Sequence, residues 1–210
     1  MKRSFSLVAM AGCVISCGLA CAQPPPPSVS GGGEKRAEWL SPDGKFGFIQ
    51  LGFADSEEPN ARKLDVIDIQ SHKVVLEIVG DEDLDIHWRV LWAPDSKRFA
   101  LMTRYGHPLQ GLDVYAQHGD AFRKVELPEL PEARIPERLK HGKRYPHVGN
   151  LNWKEAIEWK SDGSLVVEIQ TSVDGENGSL SATRAVVLGF DRAGKATIAK
   201  SSIKYEATNE

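Results

Sequence analysis

The sequence predicts an all-β fold of antiparallel, up-and-down, four-stranded sheets that occur as three blade-like repeats. One motif is found three times: WLSPDGKFGFI begins at Trp39, WAPDSKRFALM at Trp92 and WKSDGSLVVEI at Trp159. A second segment, which reads as strand, polar turn and strand, follows each motif and begins at Leu64, Leu112 and Ala185. Two strands from each segment make one sheet of four short strands.

The motif centres on a tight turn. Its central residues are Pro-Asp-Gly in the first copy, Pro-Asp-Ser in the second and Ser-Asp-Gly in the third. Proline presets the first corner, aspartate can accept a hydrogen bond from the backbone two residues on, and glycine or serine tolerates the last corner. Three copies at similar spacing indicate one architecture repeated along the chain.

The N-terminus has the layout of a secretory signal over residues 1–22. Lys2 and Arg3 precede an apolar run over residues 7–19, and small residues at Ala20 and Ala22 make a cleavage site. The chain is therefore predicted to be exported, to the periplasm or the medium. Cys17, and less closely Cys21, also fit the pattern of a bacterial lipoprotein, so a lipid-anchored envelope protein is the alternative. Membrane attachment is expected only in that case.

Residues 23–35 form a linker of prolines followed by glycines. All three cysteines precede it, so the folded body can have no disulfide, thiolate nucleophile or cysteine metal site. A chain cleaved after Ala22 keeps 24 of its 26 basic residues against 29 acidic ones, a formal charge of −5. This balance argues against nucleic acid as a partner.

The body, residues 36–207, is predicted to be one domain of three units, at about 39–79, 86–127 and 156–205. In the first unit, Phe46 and Phe48 point to one face and Ile49 and Leu51 to the other, so this strand is expected to be covered on both sides. The last unit should hold strands at 156–160, 165–173, 183–190 and 196–205. Trp39, Trp92 and Trp159 begin the motifs and are expected to pack between sheets.

The turn SPDGK, the alternating apolar residues after it and LDVIDIQSHKV resemble the repeat of TolB-like and other WD-type β-propellers. The resemblance covers most of residues 39–205 and implies that each unit is one blade. That family includes periplasmic scaffold proteins and side domains of peptidases, so the resemblance implies a fold more than a function. Closed propellers typically have about four to eight blades. Three arrangements follow: a small three-sheet body, which we favour, a six-bladed homodimer, or a β-sandwich.

An insert at residues 130–153 lengthens the spacing of the turns. Asp43 and Asp95 are 52 positions apart, whereas Asp95 and Asp162 are 67 apart. The insert leaves room for a short helix near residues 137–141 and is rich in basic residues. One interpretation is a binding site for a protein or an acidic ligand; the other is a solvated loop. The candidate binding residues are Arg138, Lys140, His141, Lys143, Arg144, Tyr145, His147 and Trp153.

The sequence predicts no metal and no cofactor. The acidic loop at residues 81–85 lacks the EF-hand pattern, because Ile86 stands at the glycine position and Trp92 at the glutamate position. Zinc-protease, nucleophile-elbow, Walker and dinucleotide motifs are absent from the sequence.

Two functions follow as hypotheses. The first is an exported, non-enzymatic binding or scaffold module that uses the basic insert. The alternative is a hydrolase or lyase in which carboxylates of residues 54–63 and 81–85 face His141 or His147.

Overall fold

The structure, a computed structural model, describes residues 37–52, 61–80, 86–104, 108–176, 178–191 and 193–208. The predicted signal peptide, the linker, most of the 54–63 loop and the 81–85 loop lie outside these residues. The described part contains eleven strands and one short helix: β1 (Phe46–Gly52), β2 (Ala61–Asp68), β3 (Val74–Val79), β4 (His87–Trp92), β5 (Arg98–Arg104), β6 (Gln110–His118), β7 (Ala121–Val125), α1 (Glu137–Lys140), β8 (His147–Trp159), β9 (Leu165–Gly175), β10 (Gly178–Phe190) and β11 (Ala196–Thr208).

The strands form three separate antiparallel sheets of consecutive strands. Sheet 1 has the order β1-β2-β3, sheet 2 the order β4-β5-β6-β7 and sheet 3 the order β8-β9-β10-β11. The predicted all-β fold of up-and-down sheets is confirmed. Three sheets of consecutive strands are compatible with blade-like repeats and do not match the two-sheet sandwich alternative.

In the part of the chain that the structure describes, sheet 1 has three strands where four were predicted. At the position of the missing strand, Glu38 alone bridges Phe48 through two backbone hydrogen bonds of 2.7 and 2.9 Å. The chain leaves the strand conformation at the next residue, since Trp39 has a φ of 43°. A left-handed residue cannot continue a regular ladder, so among the described residues the Glu38 bridge is all that stands at the place of the fourth strand.

The three repeated turns have the predicted geometry. Each closes with a backbone hydrogen bond across three residues, from Gly44 to Ser41, from Ser96 to Ala93 and from Gly163 to Lys160. Their last corners are left-handed, with φ of 70°, 58° and 79°. In each turn the aspartate accepts a hydrogen bond from the amide two residues on, at 2.9 to 3.0 Å. The local chemistry of the turn therefore recurs in all three units.

Sheet 2 is covered on both faces. Phe99, Leu101 and Tyr115 point toward sheet 1, while the alternate residues Ala100 and Met102 point toward sheet 3. Aromatic side chains dominate the first interface, where Phe99 contacts neighbours at centroid distances of 5.0 to 5.3 Å. The second interface consists mainly of small and aliphatic residues, together with the rings of Trp159 and Phe190. Both clusters are built from residues whose alternation along β5 and β6 follows the pleat.

The motif tryptophans join one unit to the next, which confirms their predicted place between sheets. The indole N–H of Trp92 donates to the carbonyl of Trp39 at 2.7 Å, and that of Trp159 donates to the carbonyl of Leu91 at 3.0 Å. The turns are linked as well: the Asp43 amide donates to Ser96 Oγ at 3.0 Å, and Arg98 donates to the carbonyl of Gly163 at 3.1 Å. The turns thus lie side by side at one end of the sheets, here called the turn end.

Two strand predictions need correction. The other face of β1 is only half-covered, because Ile49 and Leu51 are partly exposed while Phe46 and Phe48 are buried. The first strand of sheet 3 begins at His147, nine positions before the predicted start. Strands β8, β10 and β11 have 13 residues each, whereas the longest strand of sheet 2 has 9. Sheet 3 is consequently the longest of the three.

Candidate functional site

The predicted basic insert lies at the end of the sheets opposite the turn end, here called the far end. It connects β7, which ends at Val125, to β8, which begins at His147. Residues 147–153 belong to β8, so the connection is residues 126–146 and not 130–153.

The first half of this connection is part of the core. Leu127, Leu130 and Ile135 pack against the cluster between sheets 2 and 3, and Ala133 is fully buried. The Ala133 amide donates to Asn152 Oδ1 at 3.0 Å. The solvated-loop interpretation is therefore wrong for Leu130, Ala133 and Ile135, although Glu132 and Arg134 between them are exposed.

The second half of the connection carries the cations. Helix α1 forms near its predicted position, and His141 closes it with a φ of 48°. Lys140 is paired with Glu137 at 2.7 Å, and Arg134 is paired with Glu132. The side-chain hydrogen bond from Arg134 to Glu132 raises the pKa of Arg134. Three exposed cations, Arg138, Lys143 and Arg144, have no ion-pair partner among the described residues.

The β9–β10 hairpin supports this cationic segment. A Cβ added to Gly175 would lie 2.6 Å from the carbonyl oxygen of Arg144 and 3.2 Å from Cα of Tyr145. Only glycine allows so close an approach. Tyr145 is half-buried there, and the exposed His147 lies opposite Asp174 in the ladder.

Trp153 is separate from the other predicted residues. It lies in β8 opposite Gln170, six positions beyond His147, and the Arg104 guanidinium lies 5.8 Å from the centroid of its ring. The structure therefore brings seven of the eight candidates to one segment between α1 and the start of β8. Trp153 belongs to the body of sheet 3.

Two features of the far end were not predicted from the sequence. The first is an irregular start of β8, where side chains replace ladder bonds: the amides of Asn150 and Asn152 donate to Ser172 Oγ and Thr171 Oγ1 at 3.0 and 3.1 Å. The second is a set of exposed apolar side chains at this end, Leu109 (51%), Val148 (51%) and Leu151 (46%). The Leu151 amide donates to the carbonyl of Pro108 at 3.2 Å, so the backbone at Leu151 lies beside the segment that contains Leu109.

The perturbed carboxylates lie at the turn end. The pKa of Asp43 is lowered mainly by the Ser41 hydroxyl, which donates at 2.6 Å, and that of Asp162 by the Ser164 hydroxyl at the same distance. The pKa of Asp68 is lowered first by the Ser71 amide at 2.8 Å. Each of these hydrogen bonds closes a turn. The bonds stabilise the local structure, and the lowered pKa values are their consequence.

Among the described residues, no group of three or more histidines and carboxylates could hold a metal ion. His118 and Glu126 line one groove of about 540 Å³ between β7 and the β10–β11 turn, but both are exposed and no hydrogen bond joins them. No described helix has the length and apolar character needed to cross a membrane.

No protein-family model matches this chain, and no curated protein matches its sequence.

Proposed function

We propose that this chain is an exported, non-enzymatic binding module of TolB-like repeat type, which binds an acidic surface of another protein with the far end of sheet 3. The observation that carries the proposal is the exposed cationic segment held at that end. Export rests on the signal-like residues 1–22, and the repeat type on the three turn motifs.

The local charge favours an acidic ligand. Arg138, Lys143 and Arg144 are exposed and lack carboxylate partners among the described residues, although the whole chain has a formal charge of −3. An uncompensated patch of one sign attracts ligands of the other sign. Guanidinium groups can also hold carboxylates in a bidentate geometry.

The neighbouring apolar side chains favour a protein over a small anion. Leu109, Val148 and Leu151 expose about half of their surface at the same end. Apolar contacts surrounded by polar residues are typical of protein interfaces. A small anion would bind the cations and leave these side chains in water.

Three contacts hold the connection that carries this segment against sheet 3. Ala133 is anchored to Asn152, and the backbone at Arg144 rests on Gly175. The guanidinium of Arg184 donates to the carbonyl of Glu132 at 2.9 Å, a third anchor. A preorganised backbone loses less conformational entropy when a partner binds.

The test compares two triple variants for binding to a labelled polyglutamate peptide at low salt, measured by fluorescence anisotropy. Arg138→Ser with Lys143→Ser and Arg144→Ser should weaken binding about tenfold, and added salt should weaken binding by the parent protein. The matched control is Lys73→Ser with Lys97→Ser and Lys160→Ser, which removes the same charge from exposed turn-end positions. An equal loss in both variants would show that only net charge matters and would refute the proposal.

A further inference from the structure

Strand β11 leaves a long edge of sheet 3 open. It is the last strand in the order β8-β9-β10-β11, and no described strand pairs with its other side. It has 13 residues, whereas the corresponding last strands of sheets 1 and 2, β3 and β7, have 6 and 5. Long unpaired edges offer backbone donors and acceptors to another strand.

The edge is also sterically accessible. From Thr197 to Thr208 every residue is exposed except Ile203, which is half-buried against the core between sheets 2 and 3. A bulge interrupts the β10–β11 register between Val187 and Leu188, which face Lys200 and Ile198. The regular part of the edge therefore begins at Lys200.

We propose that β11 pairs in antiparallel register with β11 of a second copy of this chain, with the twofold axis at Ile203. This register places Lys200 opposite Glu206 of the partner subunit, and Glu206 opposite Lys200 of the partner subunit. Lys204 lies opposite Ser202 of the partner subunit, so no like charges face each other. The two four-stranded sheets become one continuous sheet, joined by backbone hydrogen bonds.

Charge decides the register. A twofold axis one position earlier, at Ser202, would place Lys200 opposite Lys204 of the partner subunit twice, and like charges directly opposite destabilise a strand pair. With the axis at Ile203, the same lysine instead faces Glu206 of the partner subunit, and the dimer gains two cross-strand ion pairs. It also centres the pairing on the regular segment 200–206.

Edge pairing is favoured over stacking a further sheet on the outer face of sheet 3. The outer positions of β9 and β10 are mostly polar or small, including Glu168, Gln170, Ser181 and Thr183, and Glu155 lies opposite Glu168 in the ladder. Val166 and Val187, which pair with each other, are the apolar exceptions. Sheets stack when their facing sides are apolar. The six-bladed homodimer would need such stacking, whereas the edge requires none.

Sedimentation velocity of the purified protein over a range of concentrations tests the proposal. The parent protein should form a concentration-dependent dimer. Lys200→Glu and Glu206→Lys should each weaken dimerisation about tenfold, because two attractive pairs become repulsive. The double variant with both changes should restore the dimer, since it exchanges the partners of the same pairs.

Lys204→Glu is the matched control, with the same charge change on the same exposed face. This variant should change dimerisation little, because residue 204 faces Ser202 of the partner subunit. If the twofold axis were at Ser202, residue 204 would face Lys200 of the partner subunit, and the same variant would strengthen the dimer. Hydrogen exchange of amides in residues 200–206 should slow as the dimer forms. Two results would overturn the proposal. The first is a parent protein that stays monomeric, which would leave the edge to a strand of another protein. The second is a dimer that neither single reversal affects.

Discussion

Replacing Trp92 by phenylalanine tests the bond that joins one repeat to the next. The Trp92 ring packs among Phe46, Phe48, Phe99 and Phe122 at centroid distances of 5.0 to 6.3 Å, and its indole N–H donates to the Trp39 carbonyl. Phenylalanine keeps an aromatic ring in this cluster but removes the donor. The variant therefore separates the hydrogen bond from most of the packing.

The expected loss is the sum of two effects. A partly buried hydrogen bond contributes about 1 kcal/mol, and the smaller ring loses about 1 kcal/mol of buried apolar contact. The free energy of unfolding should thus fall by about 2 kcal/mol. With a urea dependence of about 2 kcal/mol per molar, the midpoint should fall by about 1 M.

Urea unfolding followed by far-ultraviolet circular dichroism is the assay, because fluorescence changes with the tryptophan itself. Trp88→Phe is the control: Trp88 is buried in the same cluster, with 8% exposure, and its indole makes no hydrogen bond among the described residues. This variant should lose only the ring term, about 1 kcal/mol. Equal losses in the two variants would refute a stabilising bond between units 1 and 2.

Two further outcomes are expected. Hydrogen bonds lower the folded-state pKa of Asp43, Asp68 and Asp162, so the stability that they contribute is present above the unfolded-state pKa and is lost as the pH falls below about 4. Urea unfolding from neutral pH to about pH 3 should show this loss of stability. Asp162→Asn should reduce the dependence of stability on pH. Mass spectrometry of the protein from its host should find Gln23 as the first residue, whereas a lipid-modified cysteine would contradict cleavage after Ala22.

The repeat was predictable because its turn chemistry is local. Aspartate, glycine and serine at the turn centres are sufficient to set the corner geometry, and the motif tryptophans mark where units meet. The left-handed Trp39 was not predictable, since a positive φ is uncommon for any residue but glycine and the motif does not mark it. That conformation ends the pairing that Glu38 makes with Phe48.

The far end was harder to predict. The start of β8 contains Gly149, Asn150 and Asn152, residue types that are depleted in strands, and it pairs because Thr171 and Ser172 accept hydrogen bonds from its amides. The burial of Ala133 likewise depends on a neighbouring sheet that is distant in sequence. The pairing of Lys140 with Glu137 was predictable from their spacing of three, which is typical of helical ion pairs.

The double coverage of sheet 2 has a consequence for the order in which the chain becomes stable during synthesis. The inner face of sheet 1 is completed by Phe99, Tyr115 and Phe122, so the packing of the N-terminal unit is incomplete until residue 122 has emerged. The other face of the middle unit is covered only after Leu165 and Val186 have been synthesised. Apolar faces of the nascent chain therefore stay uncovered while the next unit is being made, and a chaperone that holds unfolded segments would act on them in that interval.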